Sequence, residues 1–276
     1  MASARAVLRS LALHGILLAA AGLMLLPFVW MFTTSLTPSA EILTPSLRLW
    51  PANPTVTHYA EVLGAAPWLR YFWNTVVVST ASAVAILFTS SLAGFIFAKY
   101  RFPGRDLLFI IVLGTAMIPF ESYMVPFYLQ VKALGWINTY QGIAAPLLIM
   151  SFGIFFMRQS IITIPDELLD AARIDGASEI YIYRRVILPL SKSALGALAI
   201  LAVTNSWAFF LWPMIVISDR SLFTMELGLA MFQRAFTVDY GRITAGSVIT
   251  VLPVLLAFLI LRRSIIRGVT LAGMKG

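Results

Sequence analysis

Residues 166–189, which read DELLDAARIDGASEIYIYRRVILP, form the most hydrophilic long stretch of a chain that is otherwise strongly apolar. Ten of these 24 residues are Asp, Glu, Arg, Ser or Gly. Pro165 suits the first position of a helix, and the two acidic residues after it favour the positive end of the helix dipole. Gly176 permits the left-handed turn that ends a helix, and a second helix is predicted from about residue 177 to Ile187. The stretch therefore predicts a helix–Gly–helix hairpin.

Each helix of the predicted hairpin has an apolar side. Leu168, Leu169 and Ala172 form a narrow stripe at helical spacing on the first helix. On the second helix, the same spacing predicts that four side chains share one face: Ile180, Tyr183, Arg184 and Ile187. Such a hairpin can fit a groove on a partner protein, or it can simply lie at the lipid surface. The pattern alone does not decide between these two readings.

The composition is that of an integral membrane protein. Of the 276 residues, 60% are hydrophobic and only 12% are charged, and the mean hydropathy is +0.89. Soluble domains carry about a quarter charged residues. The chain contains no cysteine, which excludes disulfides and thiolate metal sites, and its two histidines, His14 and His58, are too few to predict a histidine metal site. We therefore expect this chain to bind no metal and no cofactor.

Six apolar segments are long enough to cross a membrane, since a spanning helix needs about 20 residues. They do not alternate apolar and polar residues as the strands of a barrel do, and a helix satisfies its backbone hydrogen bonds within the segment. The predicted fold is therefore all-α, a polytopic membrane protein with six transmembrane helices in a single domain, residues 1–276. The predicted spans are about 11–35, 72–98, 106–128, 139–162, 194–217 and 243–262.

The basic residues predict the orientation of these spans. With the N-terminus inside, the inner segments hold 14 Lys and Arg residues and the outer segments hold 6, and such an excess belongs in the cytoplasm. Both termini and the hydrophilic loop, about 163–192, are then cytoplasmic. The first apolar run continues to about Phe32, beyond the roughly 7–15 residues of a signal peptide. This length favours a retained first helix over cleavage after Ala19–Ala21.

The hydrophilic loop resembles the signature cytoplasmic loop of binding-protein-dependent ABC importer permeases. That pattern reads Glu-Ala-Ala, three residues, Gly, nine residues, then Ile-x-Leu-Pro. Here Asp170-Ala171-Ala172 is followed after three residues by Gly176, and nine further residues lead to Val186-Ile187-Leu188-Pro189, with Val186 in the place of the first Ile. The spacing is intact, and the Asp at 170 and the Val at 186 are the two departures.

Further stretches are similar to the maltose-permease type of the carbohydrate subfamily, so that the resemblance covers essentially the whole chain. These stretches are FAKYRFPGR (97–105), MIPFESYMVPFYLQVKALGWINTYQGI (117–143), FLWPMIVISD (210–219) and the ending RGVTLAGMKG (267–276). The resemblance implies the type I ABC importer permease fold. It also implies a membrane-spanning subunit of a sugar importer in a bacterial or archaeal cell membrane.

The resemblance implies a set of partners and a set of contact residues. The partners are a second homologous permease, two cytoplasmic ATPase subunits that bind ATP and magnesium, and an extracytoplasmic substrate-binding protein. The sequence contains no G-x-x-x-x-G-K phosphate loop, so the chain is expected to be a transport subunit and not an enzyme. The implied ATPase-coupling residues are Asp170, Ala171, Ala172, Arg173, Gly176, Ala177, Ser178, Ile180, Tyr183, Leu188 and Pro189.

Polar and aromatic residues of the fifth span are candidates for the substrate path. Asn205 and Ser206 lie in an apolar run, where polar side chains usually face the interior of a bundle. Trp207 and Phe210 can stack on the apolar faces of a sugar, although an aromatic belt at the outer interface is the more common reason for such residues. In the third span, Glu121 is either a polar residue that lines a cavity or the first residue beyond the helix. Pro119 favours the second alternative, because it marks the outer end of the helix.

Other functions are distinguished by what they require of the spans. A permease of the same architecture for glycerol-3-phosphate or another polyol phosphate predicts basic residues along the pore, and the middle of each predicted span lacks them. A secondary transporter driven by an ion gradient needs buried ionisable residues or paired broken helices. An intramembrane enzyme needs a nucleophile with its base, and no such pair stands out. The sequence therefore favours a sugar importer over these alternatives.

Overall fold

The computed structural model describes residues 2–44, 50–232 and 239–273, with side chains for all of these except residues 2–6, 8, 257, 258 and 260–273. Parts of the segment between the fifth and sixth predicted spans and of the C-terminal stretch 267–276 therefore lie outside the described residues. The described residues are mostly helical and contain no β-strand, which confirms the all-α class.

Fifteen α-helices occur in the described residues. They are α1 Ala2–Ser35, α2 Ser39–Ile42, α3 Thr57–Ala65, α4 Trp68–Lys99, α5 Arg105–Thr115, α6 Phe120–Ala133, α7 Tyr140–Ala144, α8 Ser151–Ile162, α9 Glu167–Ile174, α10 Glu179–Ile182, α11 Leu188–Leu190, α12 Lys192–Trp207, α13 Leu211–Val216, α14 Met225–Ala230 and α15 Tyr240–Gly273. A π-helical turn, Tyr183–Ile187, joins α10 to α11. Short 3₁₀ turns occur at Ala145–Leu147 and Arg220–Leu222.

Two helices are each long and apolar enough to cross a membrane without a break. Arg9–Ser35 within α1 and Trp68–Lys99, which is α4, coincide with the first two predicted spans. The sixth predicted span, 243–262, lies inside α15. These three segments follow the sequence prediction because nothing in them forces the helix to end; Pro27 and Pro253 are accommodated inside α1 and α15.

The other three predicted spans are interrupted in the structure. The third breaks into α5 and α6, which meet at 94°, and the fourth breaks into Tyr140–Leu147 and α8, which meet at 51°. The fifth stops at Trp207 and resumes as α13. Proline accounts for two of the breaks, because Pro119 disfavours helix at the residue before it and Pro213 begins a new helix more easily than it continues one. Glu121 therefore lies in the first turn of α6, not beyond the helices.

The chain divides into two compact units, residues 1–67 with 229–253 and residues 68–228 with 254–276. In the first unit, α3 lies close to the start of α15: a Cβ at Gly241 would fall 2.4 Å from the ring of His58. The guanidinium of Arg242 donates to Glu61 at 2.9 Å and lies 3.2 Å from the carboxylate of Asp239. These contacts fix the segment that follows α1 against the N-terminal end of α15.

The second unit is organised around α4, which packs against α8 and α12. Small residues permit the close approach. A Cβ at Gly94 would lie 2.8 Å from the Cβ of Met157 and 2.9 Å from the backbone nitrogen of Arg158. Gly153 similarly leaves room for the hydroxyl of Ser90. Interfaces between membrane helices favour small residues because they let backbones come near each other. The buried core of this unit also includes Ile86, Phe95, Ile161, Leu198 and Ala202.

The opposite end of α4 holds the chain segments around α7 and α13. Asn74 donates to the carbonyl oxygens of Ser221 and Phe223, each at 2.9 Å, and Tyr140 donates to the Oδ1 of Asn74 at 2.6 Å. Buried Trp212 on α13 donates from Nε1 to the carbonyl of Gly142 at 2.8 Å. The segment between α12 and α14 is thus fixed to α4 and α7 by buried hydrogen bonds.

The α4–α8 contact yields the first prediction. Gly94→Ala places a methyl group against the backbone of α8 and should destabilise the protein by about 1–3 kcal/mol, as overpacking does. Gly114→Ala is the matched control, since a Cβ there meets nothing within 4 Å, and it should be neutral or stabilising by up to about 1 kcal/mol. Thermal unfolding of both variants in detergent measures the difference. Equal melting temperatures would show that α4 and α8 are not in close contact.

Candidate functional site

The predicted hairpin is present, and its turn is closed by backbone hydrogen bonds. Gly176 has φ of +81°, the left-handed conformation that glycine adopts without strain. Its N–H donates to the carbonyl of Arg173 at 3.0 Å, and the N–H of Ala177 donates to the carbonyl of Ala172 at 2.9 Å. This pair of bonds is the Schellman arrangement that ends a helix. Since a Cβ at Gly176 would meet nothing within 4 Å, the glycine is required by the backbone and not by crowding.

The second helix of the hairpin begins at a serine cap and changes its pitch. The hydroxyl of Ser178 accepts the N–H of Tyr181 at 3.3 Å, which is a typical N-cap contact. Ile180 is 70% exposed, whereas Tyr183 and Ile187 are buried. The predicted shared face is therefore wrong for Ile180 and for Arg184, which is also exposed. A π-helical turn rotates less per residue than an α-helix, so Tyr183–Ile187 brings Tyr183 and Ile187 to the side of buried Ile182.

The inner side of the hairpin packs on the C-terminal end of α4. Leu169, Ile182 and Ile187 are buried in the same core as residues of α4, α8 and α12. The ring of Tyr183 stacks on Phe95 at 5.8 Å between centroids. Its hydroxyl makes a buried 2.7 Å hydrogen bond with the hydroxyl of Ser91. Tyr183 is thus an internal anchor and not part of the open surface.

An ion network ties the two helices of the hairpin to each other and to the end of α4. Arg173 donates to Asp170 and to Glu179, each at 2.9 Å. The hydroxyl of Tyr100, just after α4, donates to the second carboxylate oxygen of Glu179. The guanidinium of Arg173, and then the hydroxyl of Tyr100, hold the pKa of Glu179 below its usual value. Burial, reinforced by Glu179, raises the pKa of Tyr100 to about 12, so Tyr100 remains a hydrogen-bond donor at neutral pH.

Lys99, the last residue of α4, anchors the start of α9. Its ammonium donates to the carboxylate of Asp166 at 2.6 Å and to the carbonyl of Ile164. The side chain of Lys99 is only 5% exposed, and its charge holds the pKa of Asp166 below the usual range. Lys99, Tyr100 and Ser91 were not among the predicted coupling residues. Their one signal in the sequence was the stretch 97–105, where two of them lie.

The outer side of the hairpin is an open apolar patch within a charged surround. Its most exposed members are Ile174 at 87%, Ile180 at 70% and Tyr181 at 54%. An exposed apolar patch with a polar rim marks a surface that contacts another protein or a membrane. Of the predicted coupling residues, Asp170, Ala171, Arg173, Gly176, Ser178, Ile180 and Pro189 are exposed, and Ala172, Ala177 and Leu188 are half-buried. The structure therefore brings all of them except Tyr183 to, or near, the open surface.

The candidate substrate-path residues do not share one surface. Asn205 is exposed, Ser206 and Trp207 are buried, and Phe210 is half-buried. Asn205, Ser206 and Trp207 are consecutive in a helix, and consecutive side chains of a helix point in different directions. These three side chains therefore do not face one surface. The ring of Trp207 meets Phe72 of α4 edge-on at 6.1 Å. The Ser206 hydroxyl and the Trp207 indole nitrogen have no hydrogen-bond partner among the described residues. The substrate roles of these residues stay predictions.

Within the described part of the chain, no group of three or more His, Asp or Glu side chains is arranged to hold a metal ion. Four ionisable residues of the hairpin are instead paired with one another or with α4: Asp166, Asp170, Arg173 and Glu179. One side of the hairpin is fixed to the helix bundle, and the other side is open.

Comparisons with known proteins place this geometry in context. A family described as binding-protein-dependent transport system inner membrane component matches residues 90–267. The arabinooligosaccharides transport system permease protein AraQ of Bacillus subtilis is 36% identical over 258 residues, which cover 92% of each chain. The sn-glycerol-3-phosphate transport system permease protein UgpE of Brucella suis is 31% identical over 92% of this chain and 94% of its own.

The fold is also that of a solved transporter chain. A crystal structure of a bacterial ABC transporter involved in the import of the acidic polysaccharide alginate contains a chain that matches with a TM-score of 0.79 at 21% identity. The match covers 93% of this chain and 96% of that one.

Proposed function

Since the chain belongs to the family of binding-protein-dependent transport system inner membrane components, we propose that it forms half of the translocation path of an ATP-driven sugar importer. The single observation that carries this proposal is the hairpin 166–189, which keeps the spacing of the family signature and exposes an apolar patch. A permease must receive movement from another subunit, and a docking element of this kind meets that requirement.

The hairpin is proposed to couple the chain to a separate ATPase. Its open side offers Ile174, Ile180 and Tyr181, and Arg173 is paired within the hairpin with Asp170 and Glu179. A partner that covers the patch therefore leaves the Arg173 guanidinium paired, and an unpaired ion is the costly event in a buried interface. ATP and magnesium would be bound by two such ATPase subunits, with a second permease completing the path.

The proposed topology has six spans, with both termini and the hairpin in the cytoplasm. The bent pair α5–α6 then counts as one span that breaks at its outer end, next to Pro119. The excess of basic residues on the hairpin side supports this orientation. The outer segment, residues 218–225, would lie on the opposite face, where a soluble binding protein delivers its substrate.

A neutral oligosaccharide is the proposed substrate class. The relative AraQ is named for arabinooligosaccharides, whereas UgpE is named for sn-glycerol-3-phosphate. A phosphate moving through a site of low dielectric needs a cationic partner. The basic residues of α4 and α12 lie only at the helix ends, at Arg70, Lys99 and Lys192, which supports the neutral substrate. Asn205, whose amide is exposed, is the candidate for a polar contact along the path.

The topology can be tested directly with single introduced cysteines, because the chain has no native cysteine that would also be labelled. A membrane-impermeant maleimide should label Met117→Cys in intact cells. It should label Ile174→Cys only in inverted vesicles stripped of peripheral proteins. Both positions are highly exposed, at 85% and 87%. Labelling of Ile174→Cys in intact cells would place the hairpin on the wrong side for an ATPase.

The coupling role can be tested at Gly176. A β-branched residue is strained at positive φ by about 1–2 kcal/mol, which is roughly a tenfold change in the population of the turn. Gly176→Val should therefore lower both uptake and substrate-stimulated ATP hydrolysis in the assembled complex by about tenfold, while Gly176→Asn should retain most activity because Asn tolerates this conformation.

Gly135 provides the matched control for this experiment. It also has a positive φ, +70°, with open space at the Cβ position, but it follows α6, away from the hairpin. Gly135→Val should carry the same backbone strain without the loss of coupling. If both valine variants lose transport equally, the effect of Gly176→Val is general instability and the hairpin has no special role.

The substrate class can be tested with the binding protein that delivers substrate to this chain. We expect calorimetric titration to detect binding of neutral oligosaccharides such as arabinooligosaccharides, and proteoliposomes with the whole complex to take them up. Binding and uptake of sn-glycerol-3-phosphate instead would overturn the sugar assignment. That outcome would leave the permease role intact, because both classes use the same architecture.

A further inference from the structure

Every side-chain hydrogen bond that joins the hairpin to another described helix region goes to the cytoplasmic end of α4. Tyr183 bonds to Ser91, Glu179 to Tyr100 and Asp166 to Lys99. The hairpin lies between α8 and α12 in the chain, yet its contacts with these two helices are apolar. Apolar contacts are not directional, whereas hydrogen bonds fix a register. The hairpin is therefore held in register by α4 more than by its own neighbours in sequence.

The opposite end of α4 holds the outer segment in the same manner. Asn74 and Arg70 donate to the carbonyl of Ser221, at 2.9 Å and 2.7 Å. Thr75 accepts the N–H of Met225 at 2.9 Å. Asn74 and Thr75 are almost completely buried, and buried hydrogen bonds of this kind are costly to break. The same helix is thus fixed by polar contacts to two segments on opposite faces of the protein.

Between these two ends, α4 has no break. It runs for 32 residues without a proline, a length of about 48 Å at the usual rise of an α-helix. The segments α5–α6, Tyr140–Leu147 with α8, and Glu179–Leu190 with α12 are all bent by more than 50°. A continuous helix transmits displacement along its axis, whereas a bend allows its two parts to move separately.

We propose that α4 is a rigid connecting helix that transmits the docking of the binding protein at residues 218–225 to the ATPase-coupling hairpin. Thr75 and Asn74 are its positioning residues at the outer end, and Ser91, Lys99 and Tyr100 are those at the cytoplasmic end. The proposal rests on the proposed function, because it assigns a route between the two partner surfaces named there.

The test uses the complete complex in proteoliposomes, with binding protein loaded with its oligosaccharide. Thr75→Val and Tyr100→Phe each remove one hydroxyl and preserve shape. Each should lower the stimulation of ATP hydrolysis by loaded binding protein by about threefold or more, the size of effect expected for one lost hydrogen bond. Stimulation is measured as the ratio of stimulated to basal hydrolysis within each variant, and complex assembly should be retained. The melting temperature should fall for Thr75→Val, because the buried N–H of Met225 loses its acceptor. Tyr123→Phe is the control, since Tyr123 is exposed and its hydroxyl has no hydrogen bond among the described residues.

The double variant distinguishes transmission from two local effects. Residues 75 and 100 are roughly 38 Å apart along the helix, and independent changes at such a distance multiply their effects. If the two contacts lie on one route, the double variant should lose no more stimulation than the worse single variant. Losses that multiply, or a normal single variant, would overturn the proposal. If loaded binding protein does not stimulate ATP hydrolysis even in the wild-type complex, the proposed function itself is wrong, and the role of α4 falls with it.

A distance measurement gives a second, independent result. Spin labels at Leu69→Cys, beside the outer end of α4, and Leu168→Cys, on α9, should report the same distance in nucleotide-free and vanadate-trapped complexes. Both leucines are exposed, and the absence of native cysteine makes the labelling specific. A shift of the distance distribution between the two states would show that the hairpin moves relative to α4, which contradicts a rigid connection.

Discussion

The close packing of α4 against α8 is the contact on which the rest of the second unit depends. Gly94 and Gly153 allow the backbones to approach so closely that a single methyl group would collide. In hydrocarbon, burial of apolar surface gives no advantage between helices, so such van der Waals contact provides the attraction. With α8 fixed on α4, the chain that follows α8 buries Leu169, Ile182 and Ile187 in one core with residues of α4, α8 and α12. The place of the hairpin follows from this packing.

The hairpin carries paired charged side chains next to an exposed apolar surface. A docking surface beside a membrane must remain soluble before its partner arrives and must not bury a lone charge afterwards. Arg173 meets both conditions, because it is paired with Asp170 and Glu179 within the hairpin. Lys99 and Tyr100 extend this pairing to α4. The exposed side is left to Ile174, Ile180 and Tyr181, which a partner can cover at little electrostatic cost.

Local features of the sequence were predictable, and contacts between distant segments were not. Gly176 and Pro165 specify the hairpin because their effects act within one turn of the chain. Lys99 and Asp166 are 67 positions apart in the sequence, and no pattern between them predicts that they pair, so this bond emerged only from the fold. The exposure of Ile180 was mispredicted because a π-turn changes the helical phase without a sequence signal. In the fifth span, apolarity predicted one helix across Pro213, since hydropathy does not register a missing backbone donor.

The helices of the bundle differ in whether they are interrupted, and this difference indicates which of them can change their angles. Proline or a sharp bend interrupts the helical pairs around α4, while α4 itself has neither. An importer must open to one side and then to the other, so some helices must change their angles during the cycle. The bent pairs are the places where such change costs least, because their hydrogen-bond ladders are already interrupted. An unbroken α4, held by buried polar contacts at both ends, serves as the fixed reference about which those angles change.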